Sequence, residues 1–388
     1  GHRPWLGRNA QEACRAEDSD QPEPNRLLVR SASNAYFAQT DRVISLPAHD
    51  EALRKAVDTL WEDELQYVED EDELVKLRRK NKPKITAALG ELPTAELWAE
   101  IDRRHREKAS GEKDDPPPKV AEVETLQRAT FESDADAPDG DYFARRRPLD
   151  DVPPILAGKL ERVVLVHKQR EVTAQIGFTR FEAIMPDIDG SLSLGVKPAA
   201  LSREPTWVPA IENRGEGIYL GFSQAAIEAW QKRAAVQARG SALLRGLDAW
   251  ARARGLAQSQ HLNLPYVMLH SLSHLLVQAV ALECGYAATA ITERVYACPN
   301  GHGILLYTGT TGSEGTLGGL VAVGRRIERI LVSALELGRL CSNDPICAQH
   351  VPDDRHEERF LHGAACHGCL LLAESSCERR NELLDRAL

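Results

Sequence analysis

The sequence predicts an α+β protein: a mixed helical and irregular N-terminal part, a small β-sheet in the middle, and a C-terminal α/β part that ends in a cysteine cluster. Three observations carry that prediction. Residues 48–108 form a long charged stretch with helical character. Short apolar runs bounded by turn residues follow over 155–222. Beyond 261, an apolar helix and a pair of strands lead into five Cys between 341 and 377. At 388 residues the chain exceeds what one hydrophobic core usually holds. Composition shifts divide it into 1–154, 155–260 and 261–388. A hydrophobic content of 43% and a charged content of 27% exclude wholesale disorder.

Taken in order, residues 1–40 hold little regular pattern. Nine acidic residues lie between Asp58 and Glu73, and six basic ones between Lys76 and Lys84. Such blocks are usually solvated helix faces; the functional alternative is a phosphate or partner contact. Residues 109–118 read as a Pro-rich linker, and 132–154 as an irregular acidic stretch holding Arg145, Arg146 and Arg147. Leu160–Val166, Ala174–Phe178, Trp207–Ile211 and Gly217–Phe222 read as four short strands. Ser223 is placed to cap one long helix towards Arg254, which carries Arg239, Arg245 and Arg252.

Leu264–Leu282 is apolar nearly all round, so the predicted helix is buried on several sides. It carries His270 and His274 at i, i+4, a spacing that puts both imidazoles on one face. Ser271 stands where a zincin needs Glu, so hydrogen-bonded histidines are favoured over a hydrolytic metal site. Ala290–Ala297 and Gly303–Thr308 read as paired strands joined by a turn at Cys298-Pro-Asn-Gly. A glycine-rich segment, Gly309 to Gly319 with Glu314 inside it, then opens a helix over 316–340. That order could cradle a phosphate, but no Gly-Lys-Ser/Thr ending is present, which argues against ATP hydrolysis by the Walker route.

The cysteines are the most specific signal. Cys341 and Cys347, then Cys366 and Cys369 as a C-x2-C pair, then Cys377, offer five thiols for the four positions of a structural zinc. Spacing alone does not say which is spare. Cys298 is a distant further candidate, and Cys284 reads as a small apolar residue. The net charge of −10 argues against a protein that coats nucleic acid and allows only local basic patches. No charged-then-apolar leader and no run of about 18 apolar residues is found, so the expected compartment is cytoplasmic with no membrane. The first residue is Gly, and the chain is expected to continue a longer protein.

His270 and His274 in the apolar helix, Ser313 to Gly319, and the Cys cluster, with Gly363-Ala-Ala-Cys366-His-Gly-Cys369 and Cys377 to Asn381 followed by Leu384-Asp385 matching best, resemble the MrfA-like zinc-binding domain of certain superfamily-two helicases. Together with Arg3 to Gly7, Ala32 to Phe37 and Gly215 to Tyr219, they are similar to the DrmB family of the DISARM anti-phage system. The resemblance implies zinc thiolates at Cys366, Cys369 and Cys377, plus Cys347 or Cys341. It also implies a non-catalytic subunit that pairs with a DrmA-type helicase and helps it bind DNA. Candidate DNA contacts are Arg145, Arg146, Arg147, Arg239, Arg245, Arg252, Arg325 and Arg326, with Lys76–Lys84 and Arg329 beside them. The alternatives are a metal-dependent nuclease or hydrolase using His270, His274, Glu314 or Asp385, and a helicase accessory factor in DNA repair.

Overall fold

The computed structural model describes residues 37–45, 49–80, 83–90, 92–110, 117–132, 141–179, 199–201, 206–253, 262–309, 319–350, 352 and 361–388. Cys14, Glu314 with the rest of 310–318, and the side chain of Arg252 lie outside the described residues. The chain divides into two compact units. In the smaller, the described parts are 37–40, 175–179, 199–201 and 206–209. There Gln39 Nε2 donates to Thr179 Oγ1 at 2.8 Å, and Phe178 pairs with Ala199.

The larger unit opens with four helices: α1 (His49–Trp61), α2 (Glu71–Arg79), α3 (Pro83–Leu89) and α4 (Thr94–Ser110). They close over a core of their own that includes Val57, Leu60, Leu74, Ile85, Leu97 and Ile101. The opposed charge blocks of the sequence straddle α2. Asp70 caps its first turn by accepting from Glu73 N, and Glu73 reaches back to Glu69 N at 3.0 Å. Acids fill the first turn and Lys76, Arg78 and Arg79 the last, so both blocks complement the helix dipole.

A six-stranded sheet dominates the rest. Its strands are β1 (Phe37–Ser45), β2 (Phe143–Arg147), β3 (Leu160–Thr179), β4 (Ala210–Phe222), β5 (Ile291–Cys298) and β6 (Gly301–Thr308). The order is β1-β3-β4-β6-β5, with β2 beside β3, and β2–β3, β3–β4, β4–β6 and β5–β6 all pair antiparallel. Both faces are buried. Val163, Leu165, Ile218, Leu220, Val295, Ile304 and Leu306 point to one core, and Val164, Val166, Tyr219, Tyr296, Leu305 and Tyr307 to the other. Period-two alternation therefore delivers apolar side chains to both sides, which is why these strands read as continuous apolar runs. The second face is covered by α5 (Pro118–Gln127) through Val123 and Leu126.

The first face is covered by α8 (Leu264–Cys284). Between the sheet and α8 in sequence lie α6 (Gln224–Gln231) and α7 (Ala234–Ala253), and after β6 come α9 (Gly319–Gly324), α10 (Ile327–Leu337) and α11 (Ile346–Gln349). Asn263 caps α8 by accepting from Tyr266 N at 3.0 Å, Pro265 sits in its first turn, and left-handed Gly285 ends it. By length and composition α8 could cross a membrane, but most of it is buried within the protein as a core helix.

Several expectations change here. The four short strands are two long ones, because β3 and β4 pair across the gaps read between them, with a register shift in β3 between Val166 and Gln169. The helix capped by Ser223 is α6 and stops at Gln231; α7 starts afresh at Ala234. Arg145 to Arg147 form a strand, not an irregular loop, since they pair in turn with Leu165, Val164 and Val163 of β3. The helix expected over 316–340 is α9 and α10.

Candidate metal centre

The segment after α10 turns back twice to bring four thiols together. Cys341 ends the turn after α10, and Cys347 lies on α11. Cys366 and Cys369 lie in one tight turn, in which Cys369 N donates to Cys366 O at 3.0 Å. The S–S separations are 3.4 Å for Cys341–Cys366 and 3.7 Å for both Cys347–Cys369 and Cys366–Cys369. A tetrahedron with Zn–S of about 2.3 Å has edges near 3.8 Å, whereas a disulfide needs about 2.05 Å. The four atoms thus suit a structural zinc and not a pair of disulfides.

Amide donors reach three of the four sulfurs. Asn343 N and Cys366 N donate to Cys341 Sγ and Cys369 Sγ at 3.4 and 3.3 Å, and the Asn343 side-chain amide donates to Cys366 Sγ at 3.3 Å. Burial pushes the Cys366 thiol up, but hydrogen bonds from Asn343 and Cys341 outweigh it and hold it at about 6. Burial pushes Cys347 up to about 11 and raises Cys369 as well. A cation among the four would offset that burial.

The last segment is locked onto this centre. Gly363 N donates to Leu384 O at 2.9 Å, and Ala364 N to Asp385 Oδ1 at 3.1 Å. A Cβ at Gly363 would stand 2.1 Å from Asp385 Oδ2, so glycine at this position lets the 361–364 segment lie against the 383–386 segment. Asp385 also binds Arg239 through both oxygens.

Cys377 does not join the four thiols. It stands with His270, His274 and Glu293, all four buried. The thiol set implied by resemblance, with Cys377 in it, therefore differs from the set the fold assembles: the chain between Cys369 and Cys377 carries the latter back to the sheet, where Glu293 N donates to Ser376 O at 3.0 Å. Cys298 belongs to neither group; its thiol meets Gly301 O at 3.5 Å in the β5–β6 turn. Cys284 is half-buried against the main core. Glu293 is the residue sequence reasoning missed. It shares a strand face with Ile291 and Val295, and an acid between two inward apolar residues of one face was the available signal.

The arginines are dispersed and mostly engaged. Arg145 stacks on Phe143 at 4.5 Å and Arg146 on Phe131 at 4.9 Å. Arg147 pairs with Glu328, Arg325 binds Glu132 through two hydrogen bonds of 2.7 and 3.0 Å, and Arg326 pairs with Glu283 at 2.6 Å. Arg245 is exposed on α7. The phosphate cradle expected at the glycine segment meets a competitor: Leu320 N and Val321 N already donate to the Glu216 carboxylate at 3.0 and 3.4 Å.

Residues 272–370 match the MrfA Zn-binding domain family, a stretch that contains all four clustered thiols and stops short of Cys377. The chain is similar to the DISARM protein DrmB of Bacillus paralicheniformis, at 36% identity over 252 residues. That alignment covers 64% of this chain and 44% of the relative, so the chain spans less than half the relative's length. Among solved structures, the DUF1998 helicase MrfA bound to DNA overlaps 57% of this chain and 24% of its own, at 14% identity and a TM-score of 0.27. An overlap that weak carries no argument about this fold.

Proposed function

We propose that this chain is a non-catalytic, zinc-stabilised subunit of a cytoplasmic anti-phage defence complex, which docks on a DrmA-type helicase and helps it hold DNA. The single observation that carries the reading is the likeness to the DISARM protein DrmB over 252 residues; a separate zinc-binding match around an assembled tetrathiol centre agrees with it. The burial of the candidate catalytic groups supports it. His270 and His274 are 0% exposed, and the Asp385 side chain is 0% exposed and tied to Arg239, so none meets a substrate where it stands. A general acid or base must lie within hydrogen-bond reach of the proton it moves.

DNA contact falls in this reading to exposed guanidiniums on the described surface: Arg245, Arg325 and Arg326. Phosphate would replace Glu132 and Glu283 as the partner of Arg325 and Arg326, a modest exchange because surface ion pairs contribute only about 0–1 kcal/mol. The test is co-expression with a DrmA-type helicase followed by size-exclusion chromatography. Co-elution is expected, and so is tighter DNA binding by the pair than by the helicase alone. Separate elution of two folded proteins, or turnover of DNA by this chain alone, overturns the reading.

A further inference from the structure

The second cluster lies on the face of α8 turned to the sheet. His270 and His274 stand one turn apart, with ring centroids 4.7 Å apart and planes nearly perpendicular. Glu293 approaches from β5 and Cys377 from the C-terminal segment. His270 Nε2 is 2.9 Å from Glu293 Oε1 and 3.1 Å from Cys377 Sγ, and His274 Nε2 is 3.1 Å from the same Glu293 oxygen. Relative exposures are 0% for both histidines, 1% for Glu293 and 4% for Cys377.

Three features of this packing ask for a cation. First, His274 Nδ1 lies 2.7 Å from the Leu370 carbonyl, which can only accept, so Nδ1 carries the hydrogen. The Nε2 of a neutral His274 then presents a lone pair to a carboxylate oxygen, an arrangement that repels unless a positive charge sits between them. A backbone carbonyl fixing the tautomer in this way is the usual support of a metal-bound histidine. Second, Cys377 Sγ accepts backbone N–H groups from Asn381 at 3.1 Å and Arg379 at 3.4 Å. Two amides aimed at one sulfur suit a thiolate, and single amide donors reach three sulfurs of the tetrathiol centre. To aim them, Arg380 and Asn381 adopt left-handed backbone at φ of 51° and 63°, which non-glycine residues rarely do. Third, a single Nε2 on His270 faces both the carboxylate and the sulfur, and one N–H cannot point along both directions. Its Nδ1 has no hydrogen-bond partner among the described residues, so apart from ring packing on Tyr266 and His274 its polar contacts are those its Nε2 makes.

We propose that His270, His274, Glu293 and Cys377 form a second metal site, structural in role, for a borderline divalent cation such as zinc. Two imidazoles, one carboxylate and one thiolate are a full tetrahedral set for that ion. Bond lengths of about 2.0–2.3 Å require ligand–ligand edges of about 3.3–3.7 Å, so the observed 2.9–3.1 Å contacts need to open by only a few tenths of an ångström. Four protein ligands leave no open position and burial leaves no path for substrate, which sets this site apart from a hydrolytic one. Ser273 Oγ donates to the other Glu293 oxygen and Glu378 N approaches Oε1 at 3.4 Å, so the carboxylate is oriented from outside the cluster. The ion would fasten α8, β5 and the C-terminal segment at one point. This site stands apart from the helicase reading and survives its failure.

The test begins with the unaltered chain, equilibrated with excess zinc and freed of loosely held metal. Elemental analysis should give about two zinc per chain. The zinc X-ray absorption spectrum should show a first shell with substantial nitrogen and oxygen, which four thiolates alone cannot supply. Cys366→Ser with Cys369→Ser should lose one equivalent and leave a zinc in a nitrogen-rich shell. His274→Gln should lose the other and leave a purely sulfur shell. If either variant fails to fold, cobalt substitution of the unaltered chain still decides, because a one-thiolate site and a four-thiolate site absorb at distinguishable energies. One equivalent of zinc in an all-sulfur shell, in well-folded protein, overturns the proposal. The four side chains would then be a hydrogen-bonded cluster held by protons.

Discussion

Asp385 shows how much one side chain near the C-terminus can hold. Its carboxylate binds Arg239 with both oxygens and accepts from Ala364 N and Ala387 N at 3.1 and 2.9 Å. Its own amide donates to Ser271 Oγ on α8 at 2.8 Å. Helix α7, α8, the Cys366 turn and the chain end therefore meet at one residue. Removing one partner of a buried pair costs more than the pair is worth, because the survivor keeps its charge without compensation. Arg239 retains 17% exposure, which lets water recover part of that loss. Asp385→Asn is expected to destabilise the protein by about 2–3 kcal/mol, at or just below the low end of the roughly 3–5 kcal/mol usual for such a break. A urea titration would read this as a lower midpoint with an unchanged slope. An unchanged midpoint would mean that the neighbouring hydrogen bonds, not the charge, hold the junction. Arg239→Ala should resemble it in stability, which is the behaviour of a structural arginine rather than a DNA contact.

Among the elements, the cysteine-bearing segment after α10 has little regular structure in its described residues. Cys347, Leu361, Cys369 and Leu370 reach the main core, but α11 is a single turn and Ile346 is 82% exposed. A bound metal would therefore add to local stability there. Chelation is expected to speed hydrogen exchange across 341–350 and 361–372 by an order of magnitude or more, while β3, β4 and β6 stay protected. Equal loss of protection in the sheet would show that the zinc centre and the core unfold as one unit. The same contrast explains what the sequence disclosed. Helix α8, with its Asn cap, early proline and terminal glycine, and the β5–β6 hairpin with its Pro-Asn-Gly turn carry local signals, and both were legible. Strand β2 was not, because Arg145, Arg146 and Arg147 read as a surface loop while their backbone pairs with β3. The continuous β3 and β4 were not either, since their polar middles, such as Gln169 to Glu171 and Glu212 to Gly215, are held by partners far along the chain. For the thiols, local spacing defined five candidates. Only the return of the chain to β5 separates Cys377 from the other four.

At the scale of the whole molecule, charge decides what DNA can meet. The chain carries a net −10, and the described arginines are largely committed to carboxylates, rings or carbonyls of the same protein. A duplex approaching alone would feel net repulsion within a Debye length of about 8–10 Å of the surface and attraction only at scattered points. Each neutralised phosphate releases condensed counterions, so the slope of log K against log salt counts the contacts at about 0.9 apiece. If Arg245, Arg325 and Arg326 are the groups that reach phosphate, binding by the isolated chain should be weak, with a slope no steeper than about −3. Arg325→Ala and Arg326→Ala should each reduce it by about 1, whereas Arg147→Ala, which breaks the buried pair with Glu328, should change stability and leave the slope alone. A titration of fluorescent duplex at several salt concentrations reads both quantities. A slope of −6 or steeper would require a continuous basic track that these residues do not form, and would move the DNA-binding surface to another part of the chain. A shallow slope that steepens when a helicase partner is added would place most of the phosphate contacts on that partner, leaving this chain to hold the complex in register.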